Sequence, residues 1–313
     1  MPNKGTAYGK KTYNSSFFMT SRKLTFAIFG NTFQARKSAA ISDVLECIAS
    51  CGAEVRIDRD YYDFLLSSHL LDNCTAEVFD GDAFDADFVI SMGGDGTFLK
   101  AACRVGSKNI PILGVNMGRL GFLADVRPDE FRELLEALRV GDYQVENRVV
   151  IQVDADGEPL SEYACALNDV AILKRDDASM ISISAKVDGE FLTTYRADGL
   201  VVSTPTGSTA YSLSNGGPII VPGTRVLSMT AVAPHSLNIR PIVIPDTSEI
   251  TLTVESRSHN FLVAIDGRSE KCCDVTVLTL RKAPYSLKIV KRCGTRYFDT
   301  LREKMMWGTD TRC

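Results

Sequence analysis

Apolar residues in the first part of the chain fall in short, nearly unbroken runs separated by stretches with helical spacing. Residues 24–29 form such a run and end at Gly30-Asn31, the pattern of a strand buried on both faces. Ile41, Val44, Leu45 and Ile48 then recur at helical intervals, and Gly52 supplies a stop. Residues 54–57 predict a second strand and 61–71 a second helix. A further buried strand is expected at 87–92, a helix at 97–105, a strand at 110–115, and a helix at 128–138 with Phe131, Leu134, Leu135 and Leu138 on one face. Alternating strands and helices predict a Rossmann-like parallel α/β domain over residues 23–140.

Past Gly141 the period changes. Ile181, Ile183, Ala185 and Val187 alternate with Ser182, Ser184 and Lys186, a half-buried antiparallel strand, and Asp188-Gly189 is a two-residue hairpin turn. Strands are also expected at 149–153, 163–173, 191–195, 199–203, 229–233, 250–254, 261–265, 274–280 and 286–290. The fold class is therefore α/β plus all-β, with residues 141–290 forming a mainly antiparallel, β-sandwich-like domain. Residues 1–22 are polar and aperiodic, the composition of a disordered extension. Residues 291–313, apolar at Leu301, Met305 and Met306, are expected to pack back on the first domain.

Composition narrows the function classes. With 313 residues, 45% hydrophobic and 24% charged, the chain is long enough for two cores. A net charge of −4 gives no electrostatic case for nucleic acid or an anionic membrane as partner. No apolar run reaches the ~18 residues of a membrane span, and Phe17-Phe18-Met19 is too short for an export signal. Nine cysteines without a C-x-x-C pair, and three histidines, point to reduced thiols in a cytoplasmic protein rather than a metal site.

Three stretches carry chemistry. Gly93-Gly94-Asp95-Gly96-Thr97 follows a buried strand, so its amides meet the N-terminus of a helix, where anions are favoured. Asp95 either caps that helix or acts as an acid beside a phosphate cradle. Asn168-Asp169 interrupts a strand-like run; both are poor strand formers, and they mark either a bulge or a pair that binds ribose hydroxyls or a cation. Residues 195–214 crowd Ser and Thr around Pro205 and Gly207, either a well-capped loop or a surface of donors suited to phosphate and ribose. The Walker pattern is absent from the sequence, which disfavours P-loop chemistry.

Together these stretches resemble the NAD kinase family, whose members use ATP to phosphorylate the adenosine ribose 2′-hydroxyl of NAD. The glycine turn alone is shared with lipid kinases and phosphofructokinases. More specific are Arg196 to Ser214 running on to Gly216-Gly217-Pro218, and Asn116 to Phe122 running on to Leu123-Ala124-Asp125. The resemblance covers roughly residues 24–290. It implies that Asp95 is the general base, with Gly93, Gly94, Gly96 and Thr97 on the phosphate side and Gly96 against the dinucleotide. Phe122 corresponds to an aromatic that packs on adenine, or else to a core residue. Asn168 and Asp169 correspond to the pair holding the adenosine ribose. Arg196 and Asp198 correspond to the nicotinamide-ribose side, though Arg196 also suits a diphosphate or an ion pair. Thr209, Ala210, Tyr211 and Ser214 correspond to the loop around the NAD, and Ala233 to a small residue leaving it room. Lys100 either reaches a phosphate or is solvated. Where the family often has Asp-Gly-Gln, this chain reads Asp266-Gly267-Arg268, so Arg268 brings a cation to that contact.

The expected cofactors are ATP as donor and a divalent cation, Mg²⁺, and the expected assembly is a homo-oligomer, dimer or tetramer. Two other readings stay open: a lipid or sugar kinase sharing the glycine turn, and a non-catalytic dinucleotide-binding sensor.

Overall fold

The computed structural model describes residues 23–33, 37–71, 75–118, 121–156, 160, 164–175 and 180–306. The expected disordered extension (1–22) lies outside the described residues.

The N-terminal half alternates as the hydrophobic pattern requires: β1 (Thr25–Gly30), α1 (Ser38–Ser50), β2 (Glu54–Asp58), α2 (Arg59–Ser67), β3 (Glu77–Phe79), β4 (Phe88–Gly93), α3 (Asp95–Val105), β5 (Ile112–Asn116) and α4 (Phe131–Val140). Strands β5, β4, β1, β2 and β3 lie side by side in that order, each pair parallel. Successive side chains leave a strand on opposite faces. Phe26 and Ile28 of β1 therefore join Ile48 of α1 and Leu134 of α4 in one core, while Ala27 and Phe29 join Phe98 and Ala102 of α3 in another. Helices thus cover both faces of a parallel sheet, the doubly wound arrangement.

The rest of the chain is β6 (Tyr143–Ala155), β7 (Cys165–Ala166), β8 (Asp169–Lys174), β9 (Ile181–Val187), β10 (Glu190–Ala197), β11 (Gly199–Ser203), the short α5 (Tyr211–Ser214), β12 (Val226–Val232), β13 (Ile242–Pro245), β14 (Ile250–Glu255), β15 (Asn260–Ile265), β16 (Arg268–Cys273), β17 (Val277–Arg292) and α6 (Tyr297–Met305). Strands β13, β12, β11, β8, β15 and β16 form an antiparallel sheet in that order. It packs on a second layer containing β9, β14 and β17. Ile172, Val202, Met229 and Val263 from the first meet Ile183, Leu252 and Leu280 from the second, the face-to-face packing of a sandwich.

The two halves share a sheet. β17 pairs antiparallel with β14 and β6, and in parallel with β5 through Ile289 opposite Ile112. The pattern splits β17 into 274–280 and 286–290 because the β6–β17 register shifts between Lys282 and Ser286, where Pro284 sits. The strand expected at 163–173 is likewise two: it breaks at Leu167-Asn168, between β7 and β8.

Candidate functional site

The turn from β4 into α3 places the acid differently from the cap reading. Helix α3 starts at Asp95, two residues before the expected Thr97, and no side chain caps its N-terminus. Asp95 instead reaches across to the loop after β5. Its Oδ2 accepts the Phe122 N–H at 3.0 Å, and its Oδ1 accepts the Leu123 and Ala124 N–H groups at 3.1 Å each. Gly121 permits this approach, since a Cβ there would sit 2.0 Å from Asp95 Oδ1. Asn116, at the end of β5, holds the loop in shape: its Nδ2 donates to Ala124 O at 2.9 Å and its Oδ1 accepts the Gly118 N–H at 2.6 Å. A Cβ on Gly93 would collide with Thr97 Oγ1 at 2.2 Å, whereas Gly94 and Gly96 have open space where a Cβ would be. The turn is therefore packed behind and bare in front.

A fourth donor comes from the C-terminal helix. Lys304 Nζ lies 3.2 Å from Asp95 Oδ2 and 4.2 Å from the Phe122 ring centroid. Burial alone would raise the Asp95 pKa, but Lys304 and the three amides outweigh it and hold the carboxyl below the ordinary range.

The facing wall is built around a second carboxylate. Asp266, in the left-handed region at φ 48°, sits between β15 and β16 and accepts the N–H groups of Leu167 and Asn168 at 2.8 Å and of Asp169 at 3.1 Å. Thr204 pins the same break: its N–H donates to Asn168 O at 2.9 Å and its hydroxyl to Leu167 O at 2.6 Å. Gly207 lies against Asn168, where a Cβ would be 2.1 Å from the carbonyl oxygen. Asn168 Oδ1 is buried with no hydrogen-bond partner among the described residues. Asp169 is 7% exposed. Burial and the nearby Asp266 charge push its pKa up to about 7, against the Tyr211 backbone N–H, which lowers it. Burial also raises Asp266, despite its three amides and Arg268.

These elements converge on a cleft of about 890 Å³ whose walls include Gly94, Gly96, Thr97, Lys100, Asp266 and Arg268. Arg268 Nη2 also donates to Cys165 O at 3.4 Å. A separate hollow brings Phe122 and Leu123 together with Thr206, Thr209, Arg148 and Tyr297. In the 207–214 segment Thr209 and Ala210 are half-buried, Tyr211 and Ser214 are exposed, and Ser212 is buried against Thr230 at 3.1 Å.

Asn168, Asp169, Ala210, Tyr211 and Ser214 line neither hollow, and three expected residues stand further off. In the β8–β11 register Ser203 faces Asp169 while Gly199 faces Leu173. At ~3.3 Å per residue, Asp198 thus lies roughly 16 Å along the sheet from Asp169. Asp198 pairs with Lys174 at 3.0 Å, the His235 N–H donates to Arg196 O at 2.9 Å, and Ala233 is left-handed at φ 43°. The structure does not bring Arg196, Asp198 or Ala233 into the clefts beside Asp95. Conversely, the anchoring role of Asp266, the close approach at Gly121 and the contacts of Lys304 went unread. The glycine spacing 118–121 hints at the second of these; no pattern marks the third.

Bare glycine amides at a helix start, an ionised carboxylate beside them, and a facing wall of hydroxyls and buried carboxyls define a nucleotide-binding cleft of the phosphotransferase class. Residues 34–143 match the ATP-NAD kinase N-terminal domain and residues 167–292 the ATP-NAD kinase C-terminal domain. An NAD kinase of Bacteroides fragilis is 58% identical over 289 residues, 92% of this chain and 100% of that protein. One from Porphyromonas gingivalis is 44% identical over 287 residues, covering 91% and 99%. Among solved structures, an NAD kinase from Archaeoglobus fulgidus in complex with ATP has a TM-score of 0.70 at 25% identity, covering 90% of this chain and 99% of that one. A yeast NADH kinase complexed with NADH has a TM-score of 0.84 at 22% identity, covering 93% and 89%, a likeness of fold alone. The chain belongs to the NAD kinase family. Among the described residues no helix is long and apolar enough to cross a membrane.

Proposed function

We propose that the chain transfers the γ-phosphoryl group of ATP to the adenosine ribose 2′-hydroxyl of NAD, giving NADP, with Asp95 as the general base. The observation that carries this reading is the Asp95 carboxylate, ionised and fixed by three amides beside a glycine turn that is open on its cleft side. A ribose hydroxyl is far too weak an acid to lose its proton to a carboxylate before attack. Phosphoryl transfer has a loose transition state, so the proton leaves late, as the P–O bond forms. Asp95 first orients the hydroxyl and then accepts that proton.

The amides at the start of α3 meet the donor phosphates, where the helix dipole favours negative charge, and Lys100 and Arg268 line the same cleft. Asn168 and Asp169 hold the adenosine ribose, and Phe122 packs on adenine. Thr209, Ala210, Tyr211 and Ser214 close around the dinucleotide. Arg196 and Asp198 serve the nicotinamide-ribose side, beyond the Leu173 end of β8, and Ala233 leaves the ligand room. Among the described residues no three His, Cys, Asp or Glu side chains group into a metal site. A Mg²⁺ ion held by the ATP phosphates would offset their charge. The two domains divide near residue 140, and the enzyme works in the cytoplasm as a homo-oligomer.

Asp95→Asn tests the base. The variant is expected to fold and to bind NAD by calorimetry, with turnover lower by about 10²–10⁴-fold. Near-normal NADP formation by that variant contradicts the assignment.

A further inference from the structure

The one cation on Asp95 among the described residues comes from the opposite end of the sequence. Lys304 sits in the last turn of α6, 3.2 Å from Asp95 Oδ2, and also 4.2 Å from the centre of the Phe122 ring. A single ammonium therefore touches both the acid and the aromatic platform. The helix has other contacts as well: Leu301 is buried, Glu303 pairs with Arg127 at 3.1 Å, and Tyr297 lies 6.5 Å from Phe122, centre to centre.

We propose that Lys304 is a positioning residue of the reaction. Its ammonium holds Asp95 Oδ2 ionised and aligned and ties it to the Phe122 ring, so that α6 is part of the active site. This rests on the reading of Asp95 as the base. The side chains of Lys304 and Asp95 are 28% and 30% exposed, so the pair is shielded without being dry. The other charges around the 121–126 loop are taken up locally: Asp125 by Lys291 of β17, and Glu146 by Arg148, both on β6. Lys100, on the same helix as Asp95, lines the large cleft with Asp266 and Arg268, and Tyr297 of α6 lies beside Phe122. Of these, Lys304 supplies the charge that keeps Asp95 anionic, with the amides of residues 122–124 behind it. Cation–π contact with Phe122 adds a second attraction at the same place.

The test is Lys304→Met in the full-length protein, compared with Lys304→Arg. Removing the cation raises the carboxyl pKa, so the acid limb of kcat/KM for NAD should move to higher pH by about one unit or more. The Asp95 side-chain carboxyl carbon, followed by NMR in the substrate-free protein and assigned with Asp95→Asn, should shift in the same direction. Lys304→Arg should leave both near wild type. If the limb and the carboxyl titration stay where they are in Lys304→Met, the proposal is overturned, even if turnover falls at every pH. The carboxyl titration needs no turnover. Asp95→Asn retaining activity would instead sink the base assignment, so the two failures are distinguishable.

Discussion

Asp95 and Asp266 each accept hydrogen bonds from three consecutive backbone amides, those of residues 122–124 in one case and 167–169 in the other. Both carboxylates come from a turn next to a strand end, and each fixes a loop belonging to another part of the chain. Their electrostatic states nevertheless diverge. Asp95 meets Lys304 and stays below the ordinary range, whereas Asp266 is more deeply buried, faces Asp169, and is raised together with it. A backbone cradle alone therefore does not set the charge of a carboxylate; burial and the nearest opposite or like charge decide it. One carboxylate keeps its charge beside a cation; the other is raised by burial next to a second carboxyl.

Beyond loss of the base itself, the largest effect is expected from Gly121→Ala. Its Cβ would lie 2.0 Å from Asp95 Oδ1, so the carboxylate must leave its amides. A displacement of about 1 Å at a reacting group costs on the order of 10²-fold, and steady-state kinetics should show that loss in kcat, accompanied by a fall in melting temperature because three amides lose their acceptor. Asp266→Ala should act on stability: three amides lose their acceptor, costing about 1–3 kcal/mol in urea unfolding. Asp266→Asn, which tolerates the left-handed backbone and keeps an acceptor, should recover part of it. A near-wild-type unfolding midpoint for the alanine variant would show that water replaces the carboxylate at no cost.

A third effect concerns pH. Between the unfolded Asp value of about 3.9 and about 7, the folded protein binds a proton at Asp169 that the unfolded chain has lost. Stability should therefore fall as pH rises through that window. Asp169→Asn should flatten the decline, read as a shallower fall of melting temperature between pH 4 and pH 8. An unchanged slope from pH 4 to pH 8 would mean that Asp169 titrates normally.

How much of this was legible in the sequence differs along the same lines. The doubly wound half could be read from buried runs and helical spacing because local period and tertiary burial agree there. β17 was read as two strands because Pro284 and the register shift hide that it is one ladder joining both halves. At the site, Gly93 to Gly96 and Asn168-Asp169 stood out because their residue types are wrong for plain strands. Asp266 entered only through the Asp266-Gly267-Arg268 departure from the family's pattern, since its three acceptor contacts are made about a hundred residues away in sequence. Lys304 left no trace: one lysine in a helix rich in charge looks solvated until the fold places it on Asp95. Close approaches between distant segments are tertiary facts, and local pattern does not encode them.

The most direct measurement is to incubate the purified protein with NAD, ATP and Mg²⁺ and to identify the product by ³¹P NMR and mass. The account predicts NADP carrying its new phosphate on the adenosine 2′-oxygen, with one ADP released per NADP formed. NAD that binds but is returned unphosphorylated, or a phosphate found on a different acceptor, would contradict it.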